Sequence, residues 1–170
     1  QVLSWVTGRR ERLFLSPGTT SDGHTPIRGG VPVCWPQFNQ RGSLPKHGFA
    51  RHLAWQRGSF EGRSAGAELR LRLVDSEQTL ALWPQRFELS LSVCLSPGRV
   101  RVTLEVDNPG ATDWAFSGAL HSYLAVDDVV RARLHGLGGQ AEWDSLRDVS
   151  GTGRPEVVVA GAFDRVYAAA

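Results

Sequence analysis

Five histidines, a compact group of cations and scattered carboxylates are the side chains in this chain able to move protons or hold an anion. In Leu44-Pro45-Lys46-His47-Gly48-Phe49-Ala50-Arg51 an ammonium, an imidazole and a guanidinium fall close together, and an extended backbone would set His47 and Arg51 on one side. Such a group could clamp a phosphate or sugar hydroxyls, arginine through a two-nitrogen fork and lysine as a point charge. A plain charged loop is the other reading. In Ile27-Arg28-Gly29-Gly30-Val31-Pro32 the paired glycines let the backbone turn or approach a ligand, leaving Arg28 to project into a cleft or into solvent. His121 lies between Ser117-Gly118-Ala119 and Tyr123, at an expected inner strand face. Imidazole releases and regains a proton near neutral pH, so His121 is either an acid or base, or a core histidine bonded to a carbonyl. Asp164 could accept hydrogen bonds from sugar hydroxyls or end a strand in an ion pair with Arg165.

Other chemistries lose support. His24, His52 and His135 lack comparable surroundings and are assigned to the surface or to structure. Spacings among the histidines, acids and cysteines match no zinc template, so no metal is expected. Cys34 and Cys94 read as two buried thiols of a reducing compartment. The chain has no G-x-S-x-G elbow and no phosphate loop, and Gly136-Leu137-Gly138-Gly139 fits no dinucleotide fingerprint; no cofactor is expected. Nineteen basic and 17 acidic residues are interspersed and leave a net charge of +2, which argues against nucleic acid or an anionic membrane as partner. No apolar run reaches the roughly 18 residues of a membrane span and no signal-peptide pattern opens the chain. A cytoplasmic monomer is expected.

The elements that must carry these residues are strands. Leu69, Leu71 and Leu73 alternate with Glu68, Arg70 and Arg72, and Phe87, Leu89, Leu91, Val93 and Leu95 alternate with Glu88, Ser90, Ser92 and Cys94. Val100, Val102, Leu104 and Val106 continue the period of two after a Ser96-Pro97-Gly98 hairpin signal, and Asn108-Pro109-Gly110 marks another turn. No window of eleven or more residues shows a helical period. One apolar and one polar face per strand is best served by antiparallel sheets packed face to face, so the expectation is an all-β sandwich, one domain over residues 1–170. Gln1-Val2-Leu3-Ser4-Trp5-Val6 already reads as mid-strand and Arg165-Val166-Tyr167 is strand-like, so the sandwich is expected to be incomplete at both ends.

Taken together, IRGGVPVCWPQF, LPKHGFARHLAW, WPQRFELSLSV, GALHSYL and FDRVY resemble, in order and approximate spacing, the hexose-6-phosphate mutarotase branch (glucose-6-phosphate 1-epimerase) of the aldose 1-epimerase family. The resemblance spans nearly the whole chain and implies a large twisted galactose-mutarotase-like β-sandwich with a sugar site in a concave sheet face. It also implies an isomerase that interconverts the α and β anomers of glucose 6-phosphate and related hexose 6-phosphates. His121 matches the family's general acid, Arg28 and Arg51 its substrate-holding arginines, and Asp164 its substrate-binding acid. Lys46 departs from the family pattern, where glutamine or a small residue is commoner, and would add charge toward a phosphate. His47, in a motif close to the site, is expected to give orientation or structural support rather than to transfer a proton. The family's base is a glutamate on a strand later than Asp164, and no glutamate of this sequence is a convincing substitute. The competing reading is a non-catalytic sugar-phosphate binding protein on the same fold.

Overall fold

The computed structural model describes residues 1–20, 25 and 27–168, and the chain divides into two compact units, Gln1–Ala125 and Val126–Ala170. His24 lies outside the described residues. In the first unit β1 (Val6–Thr7) and β2 (Arg10–Glu11) form a short hairpin. The Glu11 carboxylate ties it down by accepting the backbone N–H groups of Trp5, Arg12 and Leu13, each at 2.9 Å. Further along the chain comes β3 (Val33–Cys34). The alternating segments then become a four-stranded antiparallel meander, β4 (Gln56–Arg63), β5 (Gly66–Val74), β6 (Glu88–Ser96) and β7 (Arg99–Asp107), hydrogen-bonded in that order. Gly98, at φ +69°, makes the β6–β7 turn that its sequence signals. Last in this unit, β8 (Ala119–Leu120) pairs antiparallel with β3.

One helix, α1 (Glu77–Leu82), interrupts the strands and was not expected. At six residues it is too short to show a period, and it is held by its cap: the Ser76 N–H donates to Thr79 Oγ1 at 2.8 Å while the Thr79 N–H donates to Ser76 Oγ.

The core forms where the apolar face of the meander meets the β3 segment. Leu73, Phe87, Leu89 and Leu91 pack with Val33, Trp35, Phe49 and Ala50 in one buried cluster. Trp35 is fully buried, and the rings of Phe49, Phe87, Trp83, Trp114 and Phe116 lie 4.6–6.1 Å from it. Such contacts add about 0.5–1.5 kcal/mol per aromatic pair beyond the area they bury. Cys34 is buried as expected; Cys94 is only half-buried, because it falls on the polar side of the β6 alternation.

The second unit holds β9 (Arg133–His135), β10 (Ala141–Asp144), β11 (Val149–Thr152), β12 (Glu156–Val158) and β13 (Arg165–Tyr167). They form two small antiparallel sheets, β12–β9 and β11–β10–β13. His135 sits on the surface 3.7 Å from Glu156. With β-sheet as its main element and, among the described residues, one short α-helix and one 3-10 turn, the protein is all-β.

The chain turns from Trp35 toward the HGFAR segment through Gly48. Gly48 has φ +66°, and a Cβ there would stand 2.2 Å from the Trp35 carbonyl oxygen. Gly48→Ala is expected to destabilise the protein by at least about 2 kcal/mol, since both the left-handed backbone and the backbone contact oppose it. Urea unfolding checks this: the midpoint should fall while the slope stays constant.

Candidate active site

The WPQF and HGFAR motifs together build one loop, and Gln37 closes it. Gln37 is 3% exposed; its amide nitrogen donates to the Asn39 and Leu44 carbonyls at 3.0 and 2.9 Å, and its amide oxygen accepts the Leu44 N–H at 3.0 Å. A second clamp lies at the loop's far end. The His47 N–H donates to the Asn39 carbonyl at 3.0 Å, and the Asn39 N–H donates back to His47 Nδ1 at 3.2 Å. Nδ1 must therefore carry a lone pair, which places the neutral ring's proton on Nε2, facing away from the loop. His47 itself adopts φ +69°.

His121 comes to this loop from β8. Its N–H donates to the Pro32 carbonyl at 3.1 Å, and two residues on the Tyr123 N–H donates to the Gly30 carbonyl at 2.8 Å. The period of two puts His121 and Tyr123 on one face, where their rings stack at 4.6 Å. The His121 imidazole is half-buried and stands edge-on to His47, 5.9 Å between ring centroids, with the Phe38 ring 6.3 Å away. It is neither sealed in hydrocarbon nor free in solvent.

Arg51 follows on a single turn of 3-10 helix, Ala50–His52, which Trp55 pins by donating its indole N–H to the Ala50 carbonyl at 2.9 Å. Between His47 and Arg51 the backbone is not extended. The left-handed His47 and Gly48 bend the chain and the 3-10 turn coils it, and the Arg51 charge still acts on the His47 imidazole. Burial first, and then the charges of Arg51, His121 and Lys46, hold the His47 imidazole below its ordinary pKa. Burial and the Arg51 charge do the same to His52. Burial pushes the Cys34 thiol up, and Arg51 partly offsets it. His47, His121, Arg51 and Lys46 thus share one electrostatic neighbourhood.

Arg28 stands exposed on the segment whose later residues, Gly30 and Pro32, carry the backbone of Tyr123 and His121. The paired glycines beside it serve the chain rather than a ligand. Cβ atoms at Gly29 and Gly30 would lie 2.4 and 2.1 Å from the carbonyl oxygens of Phe14 and Val2.

Asp164 belongs to the second unit, where its exposed side chain lines a cavity of about 530 Å³ together with Asp144, Arg147, Arg154, Glu156 and Phe163. The alternative of an Asp164–Arg165 ion pair is not what forms. Arg165 bonds Glu142 and lies 3.5 Å from Asp144, while Asp164 supplies only its carbonyl, to Ser145.

Two contributors escape sequence reasoning. Gln37 looks like an ordinary polar residue until its three loop bonds are seen. His52, assigned to the surface or to structure, accepts the Arg51 Nε–H at 3.0 Å. Its only sequence signal is adjacency to that arginine.

The chain is similar to known proteins in both sequence and fold. The sequence profile of the aldose 1-epimerase family matches residues 1–167. The chain is 40% identical over 141 residues to an Escherichia coli K12 protein named "Putative glucose-6-phosphate 1-epimerase", covering 81% of this chain and 46% of that one. A protein of the same name from Cenchrus ciliaris is 35% identical over 156 residues, covering 86% and 47%. The crystal structure of YeaD from Salmonella typhimurium, described as a "putative mutarotase", superposes with a TM-score of 0.87 at 33% identity over 97% of this chain and 56% of that one. The Slr1438 protein from Synechocystis, at 24% identity over 92% of this chain and 57% of that one, shares the fold with a TM-score of 0.79. The chain spans about half the length of the curated relatives it matches.

The neutral His47 clamp has a pH signature. Folded His47 titrates below 6.5 while the unfolded chain has an ordinary imidazole, so the unfolded state binds more protons as pH falls through that range. The stability contributed by neutral His47 is complete above about pH 6.5 and is lost as pH drops toward the folded value. The thermal midpoint is expected to fall between about pH 7.5 and 5.5. His47→Asn keeps an acceptor near Nδ1 and tolerates the left-handed backbone, so its midpoint should fall less. An equal fall in both proteins would remove His47 as the cause.

Proposed function

The chain belongs to the aldose 1-epimerase family, and from that premise we propose that it interconverts the α and β anomers of hexose 6-phosphates, glucose 6-phosphate first among them, with His121 as the proton donor. The observation that supports this most is the half-buried His121 imidazole standing 5.9 Å, ring to ring, from His47, an imidazole that burial and the Arg51 charge hold below its ordinary pKa.

The chemistry needs no covalent intermediate. A base takes the proton of the C1 hydroxyl, its oxygen lone pair forms the carbonyl, the C1–O5 bond breaks, and the acid protonates O5. Rotation about C1–C2 turns the other aldehyde face toward O5. The proton then returns from O5 to the imidazole as the ring closes, and the base gives its proton back to the C1 oxygen. Acid and base must lie on opposite sides of the C1–O5 edge, each about 3 Å from its proton.

In this reading His121 serves O5, and the neutral His47 donates Nε2–H to a sugar oxygen without changing its own charge. Arg51 and Arg28 grip the phosphate, with Lys46 adding positive charge where the loop opens. For Asp164 the family resemblance implies hydrogen bonds to sugar hydroxyls, and within the second unit it is an exposed carboxylate in a cavity wall. The family resemblance implies a glutamate from a strand later than Asp164 as proton acceptor, and these 170 residues hold no glutamate after Glu156. A sugar held this way loses its phosphate's hydration only where arginines replace it, which favours the anion over the unphosphorylated hexose.

Polarimetry or exchange NMR on freshly dissolved α-glucose 6-phosphate tests the proposal. The protein is expected to speed anomer equilibration, and His121→Ala to slow it by about 10²- to 10⁴-fold, the range for a lost general acid. Arg51→Ala should weaken binding of glucose 6-phosphate about tenfold or more and leave glucose nearly unaffected. Equilibration no faster than in buffer, with glucose 6-phosphate still bound, would assign the chain to sugar-phosphate binding alone.

A further inference from the structure

A guanidinium presents five N–H groups, and which of them reach a ligand depends on which the protein has already engaged. In Arg51 two are engaged. The Nε–H donates to His52 Nε2 at 3.0 Å, and one Nη2–H donates to the Lys46 carbonyl at 3.1 Å. Both acceptors are neutral, so neither cancels the arginine's charge as a carboxylate would. They use the side of the fork and leave both Nη1 protons and the second Nη2 proton for an anion. The backbone supports the arrangement, since the His52 N–H donates to the Phe49 carbonyl at 2.9 Å within the 3-10 turn.

We propose that His52 is a positioning residue for anion recognition: by holding the Nε–H of Arg51 it aims the outer nitrogens of that guanidinium at the phosphate of the sugar. This rests on the reading of Arg51 as a phosphate ligand. Arginine carries about 2 kcal/mol of rotamer entropy, so an arginine fixed before binding loses less of it when the ligand arrives. The acceptor must be neutral to work. Burial and the adjacent Arg51 charge both hold His52 below its ordinary pKa, so the lone pair on Nε2 persists at neutral pH. The other groups that feel the Arg51 charge are His47, on the preceding loop, and Cys34, on β3.

Two variants separate this role from a structural one. His52→Gln places an amide oxygen at about the reach of Nε2, and His52→Leu removes the acceptor while keeping comparable bulk. At pH 7.5 the Arg51 15Nε–1H resonance, assigned by its loss in Arg51→Lys, is expected to stand apart from those of solvated arginines. It should join them in His52→Leu and stay apart in His52→Gln. The KM for glucose 6-phosphate should rise about three- to tenfold in His52→Leu with kcat within about twofold, and His52→Gln should restore most of the loss. An unmoved Nε–H resonance with unchanged KM in His52→Leu overturns the proposal, as does a fall in kcat at constant KM. Should the protein fail to equilibrate anomers at all, the resonance and a glucose 6-phosphate binding titration still decide whether His52 aims Arg51.

Discussion

The structure of the first unit depends on one carbonyl and the ring that precedes it along the same residue. The Trp35 oxygen accepts the N–H groups of both Phe49 and Ala50, at 3.1 and 3.2 Å, and the Trp35 indole is packed among five aromatic rings on the meander's apolar face. That residue therefore fastens the HGFAR segment to the sheet from one side and to β3 from the other. Losing a buried tryptophan costs about 3–5 kcal/mol, a large part of what a domain of this size has to spare. Its indole nitrogen has no partner among the described residues, so packing rather than hydrogen bonding holds it. His47 and His121 both hang from this joint: His47 through Gly48, which pairs with Trp35, and His121 through Pro32, three residues before it.

The electrostatics around the joint follow from a choice of acceptors. Arg51 is met by an imidazole and a carbonyl, His47 by a backbone N–H on its lone pair, and both histidines are held below their ordinary pKa by burial first and by the Arg51 charge second. A carboxylate beside Arg51 would have made a stronger local pair and a poorer anion site. Neutral acceptors keep the guanidinium's charge unspent while still limiting where it points. Elsewhere the molecule does the opposite. Arg72 meets Glu88 and Arg165 meets Glu142, and those arginines belong to the sheets.

Much of this was legible in the sequence, for physical reasons that differ by element. The meander follows from period-two alternation, because one face of each strand must be buried and the other wetted. Helix α1 left no period because six residues make less than two turns, and its capping Ser76 and Thr79 are a signal only in retrospect. Whether the stretch from His47 to Arg51 is extended or looped stayed open in the sequence, because left-handed geometry at a histidine is uncommon and nothing adjacent to His47 announces it except Gly48. Gly29 and Gly30 were rightly seen as places of close approach, but the thing approaching is the protein's own backbone. His52 could not be distinguished from a surface histidine, since its partner is the residue beside it and adjacency carries no periodicity.

The carboxylate at position 164 shows how strand pairing can decide which of two neighbouring charges is available. On β13 Arg165 and Tyr167 share a face and lie opposite Asp144 and Glu142 of β10 in register, so Arg165 falls between two carboxylates already in place. One residue before the strand, Asp164 takes no part in that pairing and lines the cavity that Arg154 also lines. Sequence adjacency suggested that Asp164 and Arg165 neutralise each other. Geometry separates them: the arginine is consumed by the sheet, and the aspartate lines the cavity.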